Sequence, residues 1–258
     1  MSRRIDDITI PKGKKIFFAS DFHLGVDSAY PSLEREKKVV SWLSSIQPSA
    51  SHIFILGDIF DFWFEYRHTI PKGFPRLLGK FIQLRDDGIP LFFFTGNHDM
   101  WMFDYFQKEF EISVFHDPVT MLLQDKKFYI GHGDGLGPGD QRYKRIKRIF
   151  RNKTARGIFR WVHPDLGIGL ARYWSKKSRK KNSLRDQDFQ EDQEWLLQYC
   201  RQQESIEHHD YYIFGHRHLP LQIPINDNSH YINLGDWISS FTYAEYDGKE
   251  VYLKNYTG

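Results

Sequence analysis

Short apolar runs alternate with amphipathic stretches along most of this chain. Lys15-Ile-Phe-Phe-Ala-Ser20, His52-Ile-Phe-Ile-Leu56, Pro90-Leu-Phe-Phe-Phe-Thr95 and Tyr211-Tyr-Ile-Phe214 are each apolar almost throughout and then turn abruptly polar. Runs of that length, rich in Ile and Phe and closed by Gly or Asp, predict buried parallel strands. Between the first two, Ser32 to Ile46 puts Leu33, Val39, Val40, Trp42, Leu43 and Ile46 on one broad face and stops near Pro48, which predicts a helix. A second helix is predicted from Arg76 to Arg85, closed by Asp87-Gly88. Val119–Leu123 and Lys127–Ile130 flank Gln124-Asp125-Lys126 as a hairpin, and His230–Trp237 with the pair Phe241–Tyr246 and Glu250–Tyr256 predicts a second, more antiparallel sheet.

The pattern changes after Gly135-Leu-Gly-Pro-Gly139, which is too rich in Gly and Pro to continue a regular element. Arg142–Arg151, Ile158–Tyr173 and Arg185–Gln203 then read as three amphipathic helices. Core segments at 1–134 and 205–258 are therefore expected to carry an inserted helical cap at 135–204. Charge sharpens the division: Asp140 to Arg185 holds sixteen Lys or Arg against Asp140 and Asp165, although the whole chain is only +3. Such a segment is suited to an anion.

The bulk numbers exclude several classes. With 258 residues, 40% of them hydrophobic, the chain buries a sizeable core and is not disordered. Met1-Ser-Arg-Arg-Ile-Asp-Asp7 lacks the apolar centre of a signal peptide and no run approaches a membrane span, so a cytoplasmic location is expected, with room for peripheral contact with the inner membrane. Cys200 is the only cysteine, and at helical spacing from Leu196 and Tyr199 it reads as a packed thiol.

The chemistry sits where the apolar runs end. The first delivers Asp21-Phe22-His23, the second Gly57-Asp58-Ile59-Phe60-Asp61, the third Gly96-Asn97-His98-Asp99; the hairpin ends in Gly131-His132-Gly133-Asp134 and the last run in Gly215-His216-Arg217-His218. Residues two apart on an extended segment face one way, so Asp21 with His23, and His216 with His218, can each share an ion. Asp21, His23, Asp58, Asn97, His132, His216 and His218 are too many for one tetrahedral site, and two divalent ions sharing a carboxylate account for them; Asp58 is the expected bridge. His98 carries a proton near neutrality, and Asp99 is expected to orient it.

These motifs, D-x-H, G-D-x-x-D, G-N-H-D, G-H-G-D and G-H-x-H, resemble those of the calcineurin-like metallophosphoesterases. The resemblance implies an α/β (α+β) fold, a two-sheet β-sandwich flanked by helices. It implies one metal held by Asp21, His23, Asp58 and His218 and another by Asp58, Asn97, His132 and His216, with Asn97, His98 and Asp99 as catalytic residues and manganese favoured over iron or zinc. Gly57-Asp58-Ile59-Phe60 with Trp63, Asp140-x-x-Tyr143, Ser178-x-x-x-Asn182-x-x-Arg185 and Leu234-Gly235-Asp236-Trp237 resemble the narrower UDP-2,3-diacylglucosamine hydrolase family. That implies a UDP-linked acylated glucosamine as substrate, touched by Asp140, Tyr143, Ser178, Asn182, Arg185 and His216. The chain departs from that family in carrying His98 where Arg is usual, and Arg185 where Lys is usual. The alternatives are another phosphodiesterase acting on a nucleotide or nucleic acid, and a non-catalytic binding module. The cap interleaves more aliphatic than stackable groups, so no specific nucleic-acid partner is expected. The oligomeric state is not written in the sequence.

Overall fold

The computed structural model describes residues 3–138, 141–170, 191 and 194–258. Its twelve strands form two six-stranded sheets. In the first sheet, β2 (Lys15–Ala19), β3 (Ala50–Leu56), β4 (Leu91–Phe94) and β5 (Ser113–Phe115) run parallel. β11 (Thr242–Tyr246) lies antiparallel beside β2 and carries β12 (Val251–Asn255) at the edge. The second sheet has the order β1 (Arg3–Ile8), β6 (Val119–Leu123), β7 (Lys126–Ile130), β8 (Tyr211–Phe214), β10 (Ser229–Leu234), β9 (Pro220–Asn226).

Alternation along β2 explains the layers. Ile16 and Phe18 point between the sheets, where they join Phe54, Leu56 and Phe94 against Met121, Phe128, Ile130, Ile213 and Ile232. Phe17 and Ala19 point the other way, onto Val39, Trp42 and Leu43 of α1 (Ser32–Ile46) and Leu77 and Phe81 of α2 (Pro75–Asp86). On the outer face of the second sheet, Tyr129, Tyr212, Phe214 and Tyr231 receive Leu196, Leu197 and Cys200 of α6 (Trp195–Glu204). The result is helices, sheet, sheet, helix, with both faces of β2, β3, β4 and β8 largely buried, which is why these strands read as continuous apolar runs. At about 1.5–3 kcal/mol for each large side chain removed from water, these interfaces supply most of the favourable free energy of folding.

Several sequence expectations change. The pair β11–β12 belongs to the first sheet and β10 to the second, and β10 lies parallel to β8, so the two are not one antiparallel sheet. Strands β1, β5 and β9 were not expected. β9 contains Pro220 and Pro224, which a sheet tolerates because β9 is an edge strand. The helix expected from Ile158 to Tyr173 is broken: α5 runs Lys153–Phe159, and the chain is helical again only at 164–170. Pro164 opens the second piece, its ring disfavouring helix in the residue before it. Asn152 caps α5, its side chain accepting from the Thr154 and Ala155 amides at 2.9 and 3.1 Å. The third expected cap helix begins, among the described residues, only at Trp195.

Residues 141–170 meet the loops of the first sheet through aromatics. Phe159 packs on Phe64 and Tyr66, and Trp101 donates its Nε1–H to the Phe150 carbonyl at 3.0 Å, tying α5 and the end of α4 (Gln141–Phe150) to the loop after β3 and the loop after β4. A Cβ on Gly167 would lie 2.4 Å from the Tyr66 hydroxyl, so the 164–170 helix approaches as closely as it does because that position has no side chain.

Candidate metal centre

The carboxyl ends of β2, β3, β4, β7 and β8 meet at one mouth between the sheets, and their loops are knitted by main-chain bonds. Asp21 N–H donates to Gly57, His23 N–H to Asp58, Gly215 N–H to His132 and Trp237 N–H to Asp21, all at 2.9–3.1 Å. Asp21, His23, Asp58, His216 and His218 all have positive φ, from 44° to 71°. Non-glycine residues adopt that conformation only when the surroundings impose it, and its concentration at five residues of one mouth marks a built site. Gly96 is required for a related reason: a Cβ there would stand 2.2 Å from Asp58 Oδ1.

Asp58 occupies the middle. Its Oδ1 accepts from the His98 amide at 2.8 Å, while Oδ2 lies 3.4 Å from His132 Nε2 and 3.6 Å from His23 Nε2. On one side Asp21 Oδ1 is 3.2 Å from His218 Nε2 and 3.6 Å from His23 Nε2, and the two imidazole Nε2 atoms approach to 3.1 Å. Asp21, His23 and His218 thus form one compact donor group, and Asp21, Asp58 and His132 another. His216 stands beside His132, ring centroids 5.1 Å apart, with its amide on Asp21 Oδ2 at 3.0 Å, but falls outside both groups.

The donor atoms fit divalent cations. Asp21 Oδ1, Asn97 Oδ1 and His132 Nε2 are buried and have no hydrogen-bond partner among the described residues. Polar atoms so buried are normally satisfied, and three of them at one mouth leave a set of lone pairs suited to a positive ion. His132 is prepared for this, since its Nδ1 gives its hydrogen to the Leu56 carbonyl at 2.6 Å, directing the Nε2 lone pair inward. The acids and imidazoles of the mouth also shift one another. Burial alone would raise Asp58, but the His132 and His98 rings hold it far below the usual carboxylate range. Burial opposes charge on His132 as well, yet the Asp58 carboxylate lifts it to about 10.

His98 lies at the edge, Nε2 4.0 Å from Asp58 Oδ2, and burial lowers it to about 4. Its orientation comes from a residue other than the expected one. Nδ1 is 3.0 Å from the Asp61 carbonyl, whereas the Asp99 carboxylate accepts from the amides of Gly96 and Ile59 at 2.7 Å and of Asp58 at 3.3 Å. Asp99 therefore braces the β3 and β4 loops against each other. A carboxylate next in sequence to an imidazole is not thereby next to it in space.

Three contributors were missed in the sequence. Asp61 joins His23 and His98 in a third donor group, and its signal was the second acid of G-D-x-x-D. Asp236 accepts from the amides of Ile238 and Ser239 and lies 3.8 Å from His218 Nδ1. Arg35, inside α1, carried no signal at all. Tyr143, expected as a substrate contact, donates its hydroxyl to Asp134, which also pairs with Lys147 at 2.7 Å. Asp140, Ser178, Asn182 and Arg185 lie outside the described residues.

The calcineurin-like phosphoesterase family model matches residues 14–220. The chain belongs to that family. Its chemistry is phosphoester hydrolysis, and the family implies divalent metal ions in the mouth described above. This phosphoesterase is 38% identical to a Porphyromonas gingivalis protein named UDP-2,3-diacylglucosamine hydrolase, over 93% of this chain and 97% of that one. A Haemophilus influenzae protein of the same name is 26% identical over 88% and 92% of the two chains.

Proposed function

We propose that this phosphoesterase hydrolyses the pyrophosphate of a UDP-linked 2,3-diacylated glucosamine, releasing UMP and the acylated sugar 1-phosphate. The observation that carries the reading is the near full-length match to the P. gingivalis relative of that name. The metal centre supports the reaction and the insertion supports the substrate.

Asp21, His23, Asp58 and His218 would hold one divalent ion and Asp58, Asn97, His132 and His216 a second, with manganese the preferred metal. Bound there, such ions supply Lewis-acid charge for the phosphoryl oxygens and lower the pKa of the attacking water. The chain's own residues do the rest. Asp58 Oδ2, 3.6 Å from His23 Nε2 and 3.4 Å from His132 Nε2, would serve both ions. His98, anchored through Nδ1 on Asp61, presents Nε2 toward a phosphoryl oxygen or the leaving group. Asn97 contributes a neutral oxygen, and Asp99 fixes the loop from which both residues project.

The amphipathic substrate needs an apolar wall. Trp101, Phe103 and Phe159, partly exposed over the buried Phe62, Phe64 and Tyr66, are proposed to offer that wall to acyl chains. Asp140, Ser178, Asn182 and Arg185 are proposed to hold the sugar and diphosphate. The outer side of the insertion supports peripheral contact with an anionic bilayer. Trp161 is 91% exposed, with Ile158 and Leu166 also exposed, amid Lys153, Arg156 and Arg160. No helix among the described residues is long and apolar enough to cross a membrane.

The deciding experiment offers the manganese-loaded protein a UDP-2,3-diacylglucosamine, a cyclic nucleotide and a nucleic acid. Selective release of UMP from the first supports the reading. Preferential turnover of either alternative overturns it.

A further inference from the structure

A cavity of about 490 Å³ opens beside the metal centre, reaching His132 at one end and His116 at the other. Its roof is α4 with the residue that follows it, and the stripe they turn toward it is basic: Lys144, Lys147, Arg148 and Arg151. That spacing, i, i+3, i+4, i+7, is one face of a helix, and like charges so placed repel. Two are neutralised. Lys147 pairs with Asp134, and Arg151 spans both oxygens of Asp117 at 2.7 and 2.9 Å. These two clamps fix the roof to the loops after β7 and β5. Lys144 reaches only the Gly137 carbonyl, and no carboxylate pairs with Arg148 among the described residues. A helix held over a cavity with an uncompensated guanidinium at its edge is arranged to meet an anion.

Resting on the reading above, we propose that this cavity holds the nucleoside monophosphate half of the substrate, with Arg148 and Lys144 on its phosphate. The site begins at His132, so a phosphate engaged at the metal centre leads its ribose directly under α4. The volume is on the scale of small-ligand sites, roughly 300–1,000 Å³. The floor offers the Phe115 ring for a base, and Thr95 with His116, their Oγ1 and Nδ1 3.3 Å apart, for its polar edge. A cationic lining is the wrong surface for acyl chains, for which the partly exposed Trp101, Phe103 and Phe159 offer apolar edges. The two halves of the substrate thus separate by polarity onto two walls.

The test is calorimetric titration of UMP, and separately of inorganic phosphate, into the metal-loaded protein and its Arg148→Ala and Arg148→Lys variants. Arg148 is exposed, so both variants fold. UMP affinity is expected to fall tenfold or more in Arg148→Ala and to recover to within threefold of wild type in Arg148→Lys. Phosphate affinity is expected to fall with it in Arg148→Ala and to recover in Arg148→Lys, because the side chain meets the phosphate. Unchanged UMP affinity in Arg148→Ala overturns the site, even if the UDP-lipid is hydrolysed. Arg148-dependent UMP binding by a protein that does not hydrolyse the UDP-lipid leaves the site standing and overturns the substrate reading.

Discussion

The guanidinium of Arg35 donates to the carbonyl of His23 at 2.7 Å, from a side chain only 1% exposed. The same group also binds the carbonyls of Val26 and Tyr30 at 2.6 Å and the Ser28 hydroxyl at 2.8 Å. A single residue of α1 thereby satisfies the backbone of the loop that carries Asp21 and His23. Truncation to Arg35→Ala leaves the buried His23 carbonyl and its half-buried neighbours without that donor and removes a buried charge that the loop is built around, at a cost of about 3 kcal/mol. The melting temperature is expected to fall by roughly 6–12 °C, and the affinity for divalent metal to fall with it. Calorimetric melting together with metal titration checks this; a variant as stable as wild type refutes it.

Asp58→Ala removes the carboxylate that faces both donor groups. The expected outcome is loss of metal at both positions and of turnover on any phosphodiester, since one carboxylate offsets two cations. Elemental analysis of the purified variant measures it. Two metals per chain with normal activity would refute the dinuclear arrangement.

His98→Ala is expected to keep its metal while the rate falls about 10²-fold, the scale for losing one positioned polar group at the reacting phosphoryl. Because the Asp61 carbonyl takes His98 Nδ1 at 3.0 Å, Asp61→Asn should retain the His98 orientation. A His98→Ala protein stripped of metal would make His98 a ligand instead.

Glu204 gives a pH-dependent prediction away from the site. Burial raises its pKa, but His208, the His209 amide, Asn226 and the Tyr212 hydroxyl together bring it down to about 2, from the usual 4.5. A carboxyl depressed in the folded state stabilises the fold above its unfolded pKa, and that stabilisation is lost as pH falls through the folded value. Glu204→Gln should therefore cost about 1–2 kcal/mol at pH 7. The deficit should shrink between pH 4.5 and 2, as denaturant titrations at several pH values would show.

Trp161→Ala tests the bilayer surface. The residue makes little contact with the fold, so the melting temperature should stay unchanged while co-sedimentation with phosphatidylglycerol vesicles falls about fivefold. Equal sedimentation of both proteins would remove the insertion's outer face from membrane contact.

The strand ends were legible because their determinants are local. An apolar run of a few residues closed by Gly or Asp favours a buried strand, and such a strand delivers its next polar residues to one edge, so Asp21, His23, Asp58, Asn97, His132, His216 and His218 are read together from the sequence. What those residues touch depended on packing between segments far apart in the chain. Asp99 sits beside His98 in sequence, yet the positive φ of Asp58 turns the β3 loop so that its amides take the Asp99 carboxylate and the Asp61 carbonyl takes the imidazole. Arg35 looks like any exposed helical cation until the 22–30 loop folds over it. The assignment of β10 and β11 to different sheets likewise rests on which edges remain open once β2 and β8 are placed. Periodicity reports how a segment meets water, whereas partners across the fold are chosen by the backbone groups that each tertiary contact leaves to be satisfied.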